Sequence, residues 1–244
     1  MALVSPRNPL NIGAAARAMA NFGFDRLAVV SPYEPHWREA RSAVGAEELL
    51  QRARRTETLK EALADCTLVA GTGSLERRKA GQTVVSLPDL APLVGKELAG
   101  GGRVALVFGP EKRGLTRHDL ALCHVVAVIP TCPSQPSMNL GQAVAVCLYE
   151  LSTRLFLPAD ALPLPGAAGT RPSESPEPRA PSARLETLAE VIQETMTAAD
   201  YSPAAMLPAN AHDLRLLLRR LSLADRDARR ILGLFRRVLW RLRH

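Results

Sequence analysis

"VALVFGPEKRGLTRHDLALCHVVAVI", Val104–Ile129, is the stretch whose reading decides the fold. Val104–Phe108 is a short apolar run with no polar alternation. Strands with one wet face alternate, whereas unbroken apolar runs belong to sheets covered on both faces. The run ends in a loop marked by Gly109 and Gly114. Thr116 then offers a hydroxyl to cap a short helix ending at Leu122, and Val125–Ile129 repeats the apolar run.

The same order extends to both sides. Ala2–Val4 reads as a strand and Asn8–Asn21 as a helix, with Pro9 early and Gly23 just past its end. Leu27–Val30 is a strand, Pro35–Arg55 a run of short helical pieces, and Thr56 caps a helix to Asp65. Thr67–Ala70 is a strand and Pro88–Leu98 a helix. The last helix, Asn139–Phe156, carries Leu140, Val144, Cys147, Leu148, Leu151 and Leu155 on one stripe. Residues 1–157 are therefore expected to form an α/β domain, a buried parallel sheet of five strands with helices on both faces.

Pro158–Ala183 has seven prolines in 26 residues, the rest mostly Ala, Ser, Gly and Glu. That composition cannot bury a core and reads as a flexible linker, about 30 Å across as a coil. Beyond it, Arg184–Ala199, Asn210–Leu221 and Leu223–Leu242 read as three helices, a small basic domain over 184–244.

The chain of 244 residues carries a net charge of +7. From His212 onward there are ten arginines (215, 219, 220, 226, 229, 230, 236, 237, 241, 243) against Asp213, Asp225 and Asp227, so this block equals the whole excess. Such a block suits a polyanion such as nucleic acid. A solvated helical face and an acidic lipid surface are the other readings, with Trp240 a thin anchor for the second. With 4% aromatic residues, base stacking is expected to be a minor part of any RNA binding. No apolar run is long enough for a membrane span and no signal peptide precedes the first strand. Cys66, Cys123, Cys132 and Cys147 show no paired spacing and read as free thiols of a reducing, cytoplasmic compartment, with Cys123 and Cys147 buried.

Three strands run into loops: "GTGS" (Gly71–Ser74), "FGPEKRGLT" (Phe108–Thr116) and "TCPSQPSMN" (Thr131–Asn139). Ligands of open parallel sheets sit beyond the carboxyl ends of the strands, and glycines let backbone approach a ligand. Neither G-x-G-x-x-G opening a helix nor G-x-x-x-x-G-K-[ST] is present, so the phosphate device of dinucleotide and triphosphate sites is missing. In "NPLNIGAAARAMANFG" (Asn8–Gly23), Arg17 shares a helix face with Gly13, Ala14 and Asn21. These small neighbours leave the guanidinium uncrowded. The residues alone leave Arg17 open between a surface ion pair and a functional cation.

Three segments, "NPLNIGAAARAMANFG", "LVFGPEKRGL" and "IPTCPSQPSMNLGQAVAV", resemble in order and spacing the three motifs of the SpoU/TrmH class of SPOUT RNA 2′-O-methyltransferases. "DLRLLLRRL" and "ILGLFRRVL" are similar, over a shorter span, to the helical domain appended in the TrmJ branch, which methylates a pyrimidine ribose in the tRNA anticodon loop. The resemblance implies a deep trefoil knot, a homodimer and S-adenosylmethionine as methyl donor, with no metal. It places the cofactor at Thr72, Gly73, Ser74, Gly109, Ile129, Pro136, Ser137 and Met138, mostly through backbone. It implies Arg17, Glu111, Ser137, Asn139 and Asn11 as catalytic residues, with Arg17 acting in the partner's site. Asn11 and Asn139 are expected to hold either the ribose or Glu111, helix capping by Asn139 being secondary, and Gln142 is either a pocket group or a polar neighbour. Other RNA targets of the same chemistry, and an inactive knotted RNA-binding dimer, are the competing readings. Deleting residues 184–244 is expected to weaken tRNA binding and spare cofactor binding.

Overall fold

The computed structural model describes residues 1–33, 35–73, 81–156, 178–201 and 203–244. Seven strands form one parallel sheet: β1 Ala2–Val4, β2 Ala28–Val30, β3 Arg54–Thr56, β4 Leu68–Thr72, β5 Thr83–Ser86, β6 Val104–Phe108 and β7 Val125–Val128. Their spatial order is β3-β2-β1-β6-β4-β7-β5, and every pair is parallel. The helices are α1 Pro9–Asn21, α2 Glu47–Arg52, α3 Leu59–Ala62, α4 Leu87–Ala99, α5 Arg117–Leu120, α6 Leu140–Leu155, α7 Ser182–Ala198, α8 Leu207–Leu221 and α9 Asp225–Arg243.

Successive strand residues point to opposite faces. Leu3, Val29, Leu68, Ala70, Leu106 and Phe108 meet α1, α4 and α6 through Ile12, Met19, Leu90, Val94, Val144 and Leu148. Val4, Val30, Val69, Ala105 and Val107 meet Leu59 of α3, Leu63 just after it, Leu115 and Leu122 on the other face. Both faces are covered, as the unbroken apolar runs require.

The two strands absent from the sequence reading are the two edges. Arg54, Arg55, Thr83 and Val84 are exposed, so neither strand carries an apolar run. Thr56 is the last residue of β3, and its carbonyl accepts from Ser31 N. It caps no helix. The cap is Thr58, whose side chain accepts from Glu61 N, and the helix it opens is one turn long. The Thr116 cap is as expected, with Asp119 completing a reciprocal capping box.

Most of the proline-rich stretch lies outside the described residues. Its end does not: Arg179 pairs with Ala224, Ala180 is buried, and α7 begins at Ser182, two residues before the expected helix start at Arg184. Pro181 is the residue preceding that helix, a position where a fixed φ is harmless. The three C-terminal helices share a small core of Leu188, Ile192, Leu218 and Leu232. They dock on the α3–α5 side of the sheet. Ser182 N and Ala183 N donate to Cys66 O (2.9 Å) and Ala64 O (3.1 Å). Arg219 Nε donates to Leu122 O (3.2 Å) and Arg117 Nε to His212 Nε2 (2.9 Å).

The arginine block is thereby divided. Arg219 (2% exposed) pairs at 3.1 Å with Glu186 (3% exposed), and Arg215 pairs with the same carboxylate at 3.0 Å. These two hold α8 on α7. The outward arginines of α9, among them Arg230, Arg237 and Arg241, remain exposed. No helix among the described residues is long and apolar enough to cross a membrane.

Candidate active site

Three loops at the carboxyl ends of β1, β6 and β7 are tied by one chain of side-chain hydrogen bonds. Asn8 caps α1, accepting from Leu10 N at 2.9 Å, which fixes the first turn and the outward aim of Asn11. Asn11 Nδ2 donates to Glu111 Oε1 at 2.8 Å. Asn139 Nδ2 donates to Asn11 Oδ1 at 3.0 Å. Asn139 Oδ1 in turn accepts from Gly141 N (2.9 Å) and Gln142 N (3.4 Å), capping α6. The Glu111 carboxylate also accepts from Arg7 N and Asn8 N, both at 3.3 Å. Burial alone would raise its pKa. The donors Asn11, its own N–H, Arg7 and Asn8 outweigh burial and hold the carboxyl below its ordinary value, ionised at neutral pH.

Asn11 therefore holds Glu111, and Asn139 holds Asn11, so neither amide waits free for a ribose. Capping is a principal duty of Asn139, not a secondary one. Gln142 offers its backbone to that cap and its side chain is exposed.

Gly109 admits no other residue: a Cβ there would fall on the backbone of Gly114 and Leu115. The loop folds back so tightly because Gly114 takes φ +63° and its N–H returns to Pro110 O at 2.8 Å. Gly73 is the converse case, with nothing among the described residues within 4 Å of a Cβ built on it. Open space above main chain is what a ligand read by backbone requires, so these residues fit a cofactor whose neutral adenine is recognised along its edge. The Thr72 hydroxyl is already committed to Val107 O (3.0 Å), leaving that residue's backbone for a ligand. Thr131 Oγ1 donates to Pro136 O at 3.1 Å and closes the third loop, on which Ser137 is exposed and Met138 half-buried. Ile129 is half-buried against the core. Ser74 lies outside the described residues.

Arg17 is exposed and makes no hydrogen bond or ion pair among the described residues. Its small neighbours have another use than the one expected. A Cβ on Gly13 would press on Ala43 N at 2.9 Å, and one on Gly141 would meet Ala14 Cβ at 2.8 Å. Gly13 and Ala14 admit the 40–43 segment and α6 of the same chain.

Sequence reasoning missed Arg7 and Tyr33. The Arg7 guanidinium lies 5.7 Å from the Tyr33 ring centroid, and Tyr33 N donates to Pro6 O at 3.2 Å. Residues 26 apart with no periodic relation leave no sequence signal for this contact. All four cysteines are free. Cys123 and Cys147 are buried as expected, with burial pushing both thiols up to about 12.

An all-parallel sheet with helices on both faces, and three C-terminal loops tied by a Glu–Asn–Asn relay, defines an α/β domain of the SPOUT methyltransferase class. The chain belongs to the SpoU rRNA Methylase family, which its residues 1–149 match. The tRNA (cytidine/uridine/adenosine-2′-O-)-methyltransferase TrmJ of Pseudomonas aeruginosa (strain UCBPP-PA14) is 41% identical over 150 residues, 61% of this chain and 58% of that protein. The tRNA (cytidine-2′-O-)-methyltransferase TrmJ of Methanocaldococcus jannaschii is 36% identical over 155 residues, 62% of this chain and 66% of that one. Among solved structures, TrmJ from Z. mobilis ZM4 superposes with a TM-score of 0.81 at 31% identity, covering 97% of both chains. The chain matches about three-fifths of the length of curated relatives such as the Pseudomonas protein.

Proposed function

We propose that this protein is a cytoplasmic, S-adenosylmethionine-dependent RNA ribose 2′-O-methyltransferase acting on tRNA, with a pyrimidine of the anticodon loop as target. The observation that carries this reading is the relay Glu111–Asn11–Asn139, which holds an anionic carboxylate and three loops in one geometry at the same end of the sheet as Gly73, just past β4. A trefoil-knotted path for the second half of the domain fits a strand order in which β6 and β7 flank β4.

S-adenosylmethionine, when bound, supplies an electrophilic methyl on a sulfonium. Thr72, Gly73, Ser74, Gly109, Ile129, Pro136, Ser137 and Met138 would hold it, largely through backbone. The 2′-hydroxyl is a weak nucleophile until its oxygen gains negative character. A guanidinium is always charged, so Arg17 orients that oxygen and stabilises the charge that develops on it. Glu111, held ionised by its donors, fixes the β1 and β6 loops around the sugar.

The guanidinium comes from a second subunit. Arg17 is six residues beyond Asn11 on α1, about 9 Å along the axis and on another face, which turns it away from its own relay. Beside it α1 exposes Leu10, and α6 exposes Val146 and Tyr149. This apolar surface suits a homodimer in which each Arg17 reaches the other chain's Glu111. The outward arginines of α9 then meet RNA phosphates.

Complementation tests the whole reading. Arg17→Ala and Glu111→Ala dimers are each inactive toward bulk tRNA with labelled cofactor. Unfolded together and refolded at equal ratio, half the dimers are mixed and each has one intact site, restoring about a quarter of wild-type incorporation. No recovery on mixing refutes action in trans. Methyl-free tRNA with the wild type, binding retained, leaves an inactive RNA-binding dimer, and mapping the methylated nucleotide separates tRNA from ribosomal RNA.

A further inference from the structure

We infer that Tyr33 and Arg7 form a stacking shelf for an unpaired nucleobase beside the target ribose. The inference rests on the methyltransferase reading above and adds a binding subsite to it. Tyr33 is 72% exposed on the loop after β2, in a chain with only 4% aromatic residues. It is not a stray side chain on a loose loop. Ser31 and Ser5, the residues following β2 and β1, both take φ 43°, and the sharp turns bring the two loops side by side. Tyr33 N then donates to Pro6 O at 3.2 Å, while the next residue, Arg7, donates its own N–H to Glu111 Oε2 at 3.3 Å. Followed through those bonds, Tyr33 N and the Glu111 carboxylate are no more than about 9 Å apart.

The ring itself is half-prepared. The Arg7 guanidinium lies 5.7 Å from its centroid, within cation–π range, and both groups face solvent. A phenol ring with a guanidinium against it and the rest of its surface open is the arrangement on which splayed-out RNA bases stack. The guanidinium is placed at the same time for a phosphate. Every base has a π-face, so the shelf takes any base. What it demands is that the base be unpaired. A base buried in a duplex stack offers no free face at this rim. The shelf therefore selects loops and bulges over helices, and it makes stacking a larger part of RNA binding than the low aromatic content suggests.

The test compares Tyr33→Ala and Tyr33→Phe with the wild type. Affinity for bulk tRNA is read by gel shift, affinity for S-adenosylmethionine by calorimetry, and competition by a fully paired RNA duplex in the same assay. Loss of one stacked base weakens tRNA binding by roughly 5- to 100-fold. Tyr33→Ala is expected in that range, Tyr33→Phe within twofold of wild type, and cofactor affinity unchanged in both. Duplex affinity, which uses no shelf, is expected to be equal in all three proteins. Unchanged tRNA binding by Tyr33→Ala overturns the shelf, as does a Tyr33→Phe defect as large as that of alanine. An equal fall in duplex or cofactor affinity overturns it too. A wild type that binds tRNA but no cofactor refutes the methyltransferase reading, and the tRNA comparison still decides the shelf.

Discussion

Breaking the Glu186–Arg219 pair should cost more than any surface change in this protein. Both side chains are essentially buried, at 3% and 2% exposure. Arg219 spends its donors on Glu186 Oε1 (3.1 Å) and Leu122 O (3.2 Å). Burial lowers its pKa, yet a guanidinium stays charged at any pH the fold survives. Glu186→Leu therefore strands a cation in the seam between the helical unit and the sheet, at a cost of about 3–5 kcal/mol. Total stability is only ~5–15 kcal/mol, so roughly a fifth or more is lost. In the double variant Glu186→Leu/Arg219→Met the fully buried cation is gone, and Arg215, 22% exposed, loses its partner but keeps access to water. Leu122 O alone loses its donor, costing about 1–3 kcal/mol, and the double variant is more stable than the single. Denaturant unfolding followed by tryptophan fluorescence reads both units at once, because Trp37 is buried in the sheet domain and Trp240 sits on α9. Wild type should unfold in one step, and Glu186→Leu should separate the Trp240 transition from that of Trp37. A single-variant loss below about 1 kcal/mol, or a double variant no better than the single, refutes the reasoning.

His124 is buried with Nδ1 accepting from Val69 N at 3.0 Å, and burial, then Arg219 and Arg179, lower its pKa to about 3. The unfolded chain binds a proton near pH 6.5 that the folded chain refuses, so stability falls as pH drops below 6.5, by about 2 kcal/mol at pH 5; a His124→Asn variant should show a flatter dependence in thermal unfolding across pH 5–7. Asn11→Ala removes the 2.8 Å donor to Glu111 and the anchor of Asn139, so kcat/KM should fall about tenfold and the acidic limb of the pH–rate profile should move to higher pH. Gly109→Ala forces a Cβ into backbone, and calorimetry should detect no cofactor binding to it. Arg230, Arg237 and Arg241 share one face of α9. Their replacement by glutamate should lower the slope of log affinity against log salt by about 2–3 for tRNA while cofactor binding persists, whereas deleting residues 184–244 would bare Leu122 O and Gly81, against which Leu216 packs.

What could be read from the sequence follows from where side chains lie. Central strands such as Val104–Phe108 are covered twice and so declare themselves by composition. Edge strands are held by one neighbour's backbone, and Arg54, Arg55 and Thr83 show that nothing in their own side chains need report it. Thr56 and Thr58 are equally good caps in isolation. Pairing of β3 with β2 decides between them. The ten arginines form a single block to a charge count, which is blind to burial, and only packing assigns Arg215 and Arg219 to Glu186. Asn11, Glu111 and Asn139 were legible through family resemblance alone, because a hydrogen-bond chain joining positions about a hundred residues apart has no local signature.

That relay also bears on the proposal that one chain makes only part of a site. Every member of it is spent inside the subunit: Asn139 caps α6, Asn11 links the two loops, and Glu111 collects four donors. The result is a rigid, anionic rim in which an amide and backbone N–H groups hold the Glu111 carboxylate. The small residues Gly13 and Ala14 on α1, beside Arg17, are covered by the 40–43 segment and α6. Arg17 is thereby held on the outer face, past its own relay, in a rotation that no side-chain rearrangement of a packed helix can reverse. On the proposed chemistry that placement suits the Glu111 of a second subunit, and pairing of subunits would complete the charge balance.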